Sequence, residues 1–221
     1  MNFNLSATTG AKEAGSVLSA GIHKATFQGI SKASVNGKDG QSYDVMSLKL
    51  DVEGYGEFTH NFFEPTKSER TTSQYGENPS QVEHFLIAVR QIVDALDPAI
   101  GQGIDNGTIK IGGNFAQVVK AIKGYTDEFV GNDVEIKLLP QGNGYAAIPG
   151  FPARITKNGT LGIATRFIAA DGLVLTPAEL KKIEAAKNAK PTNMASTKAT
   201  NDLLGGMSAD LDGDGTDDLP F

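Results

Sequence analysis

The chain has 221 residues, 20 Lys+Arg against 26 Asp+Glu, and a net charge of −6. It holds no cysteine, which excludes disulfides and Cys-based metal or redox chemistry. Its length suits one domain of about 150–190 residues plus a tail, enough to bury a proper interior.

The charge is unevenly placed. The six residues Asp202, Asp210, Asp212, Asp214, Asp217 and Asp218 carry the whole excess, and no base follows residue 200. The body is therefore neutral and free to gather its cations on one face. His23, His60 and His84 are too far apart in sequence to suggest a ligand cluster. No stretch has the apolar length of a membrane span, and the first residues lack the basic-then-apolar layout of a signal peptide. The expectation is a cytoplasmic protein with no membrane partner.

Residues 1–15 are rich in Ser, Thr, Ala and Gly and read as flexible. Ile22 to Val35 reads as a long strand interrupted at Gly29, where an interior glycine suggests a bulge or bend. Asn36-Gly37-Lys38-Asp39-Gly40 is a hairpin signal. Ser42 to Val52 then alternates, with Met46, Leu48, Leu50 and Val52 assigned to the core and Tyr43, Val45, Ser47, Lys49 and Asp51 to the outside. A turn over Glu53 to Gly56 leads to a third strand, Glu57 to Phe63, with Phe58, His60 and Phe62 on one face.

Glu64 to Pro79 reads as a loop. Ser80 to Leu96 is the clearest helix: Val82, Phe85, Leu86, Val89, Ile92, Val93 and Leu96 recur at three-and-four spacing and Pro98 follows. A shorter helix is expected over Phe115 to Ile122, after a Gly-rich stretch. Strands return at Asp133 to Leu139 and Tyr145 to Phe151, then a hairpin of Pro152–Lys157 and Thr160–Ile168 turns at Asn158-Gly159. Thr176-Pro177 with Glu179 opens a last helix, to about residue 190. From 191 to 209 the composition is that of a flexible linker.

Three strands, a helix and further strands is the order of a five-stranded Greek-key barrel, the OB-fold, here mainly β with helices and an extra hairpin. A generic α+β sheet is the alternative. Residues 16–175 form the expected domain, 176–190 a helix, and 210–221 a disordered acidic tail. No phosphate-binding loop, zinc-protease motif or nucleophile elbow occurs, so neither a catalytic site nor a cofactor is expected.

Single-strand binders need a cationic groove for the backbone and rings on which bases stack. The candidates are Lys24, Lys32, Lys38, Tyr43, Lys49, His60, Phe62, Lys67, Arg70 and Tyr75. Tyr43, Lys49, Lys67, Arg70 and Tyr75 lead, because alternation or loop context puts them outside.

The chain ends Asp217-Asp218-Leu219-Pro220-Phe221, an acidic run closing on an apolar group and a carboxylate. Such an end suits a shallow apolar pocket rimmed with Arg or Lys. It resembles the acidic tip of bacterial and phage single-stranded DNA-binding proteins. The resemblance implies a non-enzymatic protein that coats single-stranded DNA in the host cytoplasm. Its tip would recruit replication, recombination or repair proteins, and a homo-oligomer would fit as readily as a monomer. Such relatives commonly stack bases on tryptophan, which this chain lacks. A rival reading stays open: Asp210, Asp212, Asp214, Gly215 and Asp218 follow a calcium-loop spacing, though Phe221 stands where the bidentate Glu belongs.

Overall fold

The computed structural model describes residues 18–73, 76–141, 145–149, 153–155, 161–163 and 165–188. Those residues build a mixed α/β fold: an antiparallel sheet curled into a half-barrel, with four helices. The sheet is organised by its first strand. β1 (Gly21–Asn36) pairs with β2 (Ser42–Val52) along most of its length, and β2 pairs with β3 (Gly56–Phe63). The N-terminal half of β1 also pairs with β6 (Asp133–Pro140) on its other side, so Ala25 and Thr26 sit between two partners.

That double use requires a bend, and the register slips between Phe27 and Gly29. Gly29 adopts φ 112°, closed to ordinary side chains, while Phe27 closes the kink by bonding Asn132 and Gly131 through its N–H and C=O. The far edge is β10 (Ile168–Ala169), which pairs with β6, and the short β7 (Ala146–Ala147) pairs with the end of β6.

α1 (Gln81–Leu96) starts on a capping box in which Ser80 and Glu83 satisfy each other's backbone N–H. It buries Phe85, Ala88, Val89, Ile92 and Val93 against the concave side of the sheet, where Phe27, Met46, Leu48, Leu50 and Ile136 are fully enclosed. α3 (Phe115–Thr126) joins that core through Val119 and Ile122, and runs a turn beyond the expected end at Ile122.

Between them lies α2 (Pro98–Asp105), where the sequence reading assigns no helix and sees only the start of a Gly-rich stretch. Asp97 ends α1 and caps α2, so the proline that stops one helix opens the next. Arg90 ties the two together through Asp94 and Asp105. Gly101 makes the crossing fit, because a Cβ there would meet Asp94 Oδ1 at 1.8 Å.

Two further departures are local. The segment 64–79 holds a hairpin of β4 (Thr71–Ser73) and β5 (Gly76–Asn78) rather than an unstructured loop. Of the last expected hairpin the described residues show β8 (Ala153–Ile155) paired with β9 (Leu161–Ile163), and the second strand does not run on to Ile168, because 165–167 lie outside any strand. Instead the Gln91 side chain on α1 bonds the Phe167 N–H and the Thr165 carbonyl, diverting the chain to the edge of β6.

α4 (Pro177–Asn188) carries the Thr176–Glu179 capping box read from sequence. It packs on the convex side of β6, where Lys137 and Glu179 form an enclosed ion pair at 3.1 Å. The tail from residue 189 and residues 1–17 lie outside the described residues.

Candidate nucleic-acid interface

Directly paired residues of antiparallel strands point to the same side of a sheet. The register therefore decides which side chains share a surface. Met46, Leu48 and Leu50 pair with Phe62, His60 and Phe58, so all six turn toward the core. The convex side of the same strands carries Tyr43, Val45, Ser47 and Lys49 on β2, then Thr59, Asn61 and Phe63 on β3. Ser31 and Ala33 complete it on β1, opposite Ser47 and Val45.

Tyr43 and Phe63 meet edge to face, with ring centroids 6.2 Å apart and planes at 78°. The Tyr43 hydroxyl donates to Asp39, tethering the ring to the β1–β2 hairpin. That bond draws the Asp39 carboxyl below its ordinary range and pushes the Tyr43 phenol up. Val45 is wholly buried yet stands apart from the main core, flanked by Ala33 and Phe63. Ser47 is also buried, and its Oγ donates to Asn61 Oδ1 at 2.7 Å. Both were expected outside. They do face away from the core, yet both are buried. Lys49 completes the surface and is exposed.

The other candidates separate. His60 and Phe62 stand on the core side, their rings 4.6 Å apart, and Phe62 lies 6.1 Å from the enclosed Phe167. Neither shares the surface of Tyr43 and Lys49. Phe63, which the sequence reading passed over, does. Lys32 pairs with Met46 in register and holds Asp44 in an ion pair. Lys38 sits in the exposed hairpin turn.

Lys24 projects into an open groove of about 1310 Å³ shared with Asp51, Glu53, Glu57, Asp133 and Glu135. A polyanion would be repelled there. Lys67 is exposed on the segment before α1, whose backbone is held by Gln81. Arg70 forks onto Glu83 and also reaches Glu77, so two carboxylates already engage its guanidinium. Arg70 and the Ser80 N–H hold the Glu83 carboxyl down at about 2. Tyr75 and Asp217 to Phe221 lie outside the described residues, as does the Asp210–Asp218 run. Among the described residues no helix is long and apolar enough to cross a membrane.

His60 provides a test of the core side. Burial pushes its imidazole down to about 4, so the ring is neutral at pH 7. The unfolded chain, with its His near 6.5, takes up the proton first as pH falls. The His60 contribution to stability should therefore fall between pH 6.5 and 4, by ~2 kcal/mol at pH 5, and change no further below that. Urea titrations at pH 7 and 5 read this loss, and His60→Leu should remove most of it. An unchanged difference between the two pH values in that variant would assign the acid sensitivity elsewhere.

The convex side thus carries two rings, an amide bonded to Ser47 and, toward the acidic groove, an exposed lysine. No protein-family model matches the chain, and no curated protein matches it either.

Proposed function

We propose that the chain is a non-catalytic single-stranded DNA-binding protein whose half-barrel is an OB-type body. The observation that carries this reading is the Tyr43–Phe63 pair, which shares the convex side of β1, β2 and β3 with the exposed Lys49 further along β2. Bases would stack on the rings while Lys49 neutralises the backbone, a combination that tolerates every base because each has a π-face. The strand order supports the body: a three-strand meander, helices, then β6 returning to β1. The acidic groove around Lys24 would turn the strand away at the Asp51 end and hold it to the Tyr43 end.

In this reading Asp217 to Phe221 is a separate device. It docks into replication, recombination or repair proteins by its apolar end and carboxylate. The test is fluorescence anisotropy of a labelled oligo-dT of about 30 residues against a duplex of equal length, stepped through salt. Tight binding to the single strand, weak binding to the duplex and a log–log salt slope of a few units are expected. Deleting Leu219 to Phe221 should leave oligo-dT affinity unchanged or raised, since that segment competes with DNA or ignores it. Equal binding to duplex and single strand would overturn the reading.

A further inference from the structure

Asn61 is half-buried in the middle of β3, between Phe63 and Thr59 on the convex side. Its partner across the ladder, Ser47, is 4% exposed and donates its hydroxyl to Asn61 Oδ1 at 2.7 Å. A serine enclosed on a strand whose neighbours are apolar needs such a partner, so the contact is held by the cost of losing it. The bond occupies the amide oxygen and turns the Nδ2 group the other way. Nothing in the core requires this, because the pair faces away from it.

We infer that Asn61 is a base-edge reader, positioned by Ser47, that favours bases presenting carbonyl oxygens. This rests on the single-strand reading above. Alternate residues on a strand lie about 7 Å apart, so a base stacked on Phe63 would bring its edge over Asn61, and Lys49 would meet the following phosphate. The Asn61 amide offers two N–H donors there. Thymine meets them with O4 or O2, and guanine with O6. Adenine presents an amino group where these bases carry a carbonyl, and with the Asn61 oxygen engaged by Ser47 that amino group finds no acceptor, which leaves only the adenine ring nitrogens to meet the amide N–H. Asn61 would act on the substrate directly, and Ser47 only through Asn61.

The experiment compares oligo-dT with oligo-dA, each about 30 residues, by anisotropy against the full chain and its Asn61→Ala and Ser47→Ala variants. Intrinsic differences in strand stacking are common to all three proteins and cancel between them. Asn61→Ala should lower the dT-over-dA preference about fivefold, the worth of one hydrogen bond. Ser47→Ala, which keeps the amide but frees its orientation, should lower it part of the way with oligo-dT still bound. An unchanged preference in both variants, with oligo-dT binding intact, overturns the inference and leaves the single-strand reading standing. A preference that rises in Asn61→Ala would mean the amide oxygen faces the base, and overturns it equally. Failure of the parent chain to bind either oligonucleotide overturns both.

Discussion

Replacing Phe63 with alanine should weaken oligo-dT binding about tenfold to a hundredfold, with Tyr43→Ala in the same range. Base–aromatic stacking is worth ~1–3 kcal/mol per base, and each ring supplies one platform. The two effects should not add, because the rings support each other edge to face at 6.2 Å. Tyr43→Phe keeps the ring and loses only the bond to Asp39, so it should retain most of the affinity. The informative control is the adjacent position. Phe62 packs on Phe167 in the core, so Phe62→Leu should lower the melting temperature while the folded protein binds DNA as before. Should Phe62→Leu cost affinity and Phe63→Ala spare it, the interface would lie on the other side of the sheet. A folded Tyr43→Ala, Phe63→Ala double variant with unchanged affinity would remove the stacking surface altogether.

The contrast between Phe62 and Phe63 also marks where sequence reasoning reached and where it stopped. Period-two alternation grouped Phe58, His60 and Phe62 together, as the structure does, but alternation alone does not say which group is wet. The missing step was available. A turn over Glu53 to Tyr55 sets Val52 opposite Gly56, and counting back places Phe62 opposite the apolar Met46. The Gly29 bulge, most of the face of α1 and the Thr176–Glu179 cap were legible because each depends on neighbours in sequence, although Leu86, grouped with that face by spacing, is 46% exposed. α2 was hidden because the Asp97-Pro98 signal for a start coincides with the signal for a stop. The partners of Arg70 were hidden for a different reason. Nothing local reveals that Glu77 and Glu83 converge on it, and only the folded β4–β5 hairpin brings them together. The burial of Lys137 is likewise set by a helix 42 residues away.

That lysine carries the largest expected stability effect. Lys137 and Glu179 keep only 4% and 8% of their side-chain surface, so both charges have left water. Removing one partner of such a pair strands the other, and Glu179→Ala should cost ~3–5 kcal/mol in urea denaturation. Glu179 also accepts from the Thr176 N–H at 2.8 Å and from Thr165 Oγ1 at 3.3 Å, so alanine would orphan the start of α4 as well. Lys137→Met with Glu179→Gln should recover most of the loss. The glutamine oxygen still caps α4 and no charge remains inside. Burial alone would push the Glu179 carboxyl up, but the Thr176 N–H and the Lys137 ammonium outweigh it and hold it below 4.5. Its contribution is therefore complete above pH 4.5 and fades as the pH falls through the lowered value. A Glu179→Ala variant within ~1 kcal/mol of the parent would show that α4 is held by Leu173 and Ile183 instead. With the ion pair as the clamp, the same variant should loosen α4 while sparing oligo-dT affinity, since α4 lies over β6 and the rings lie on β2 and β3.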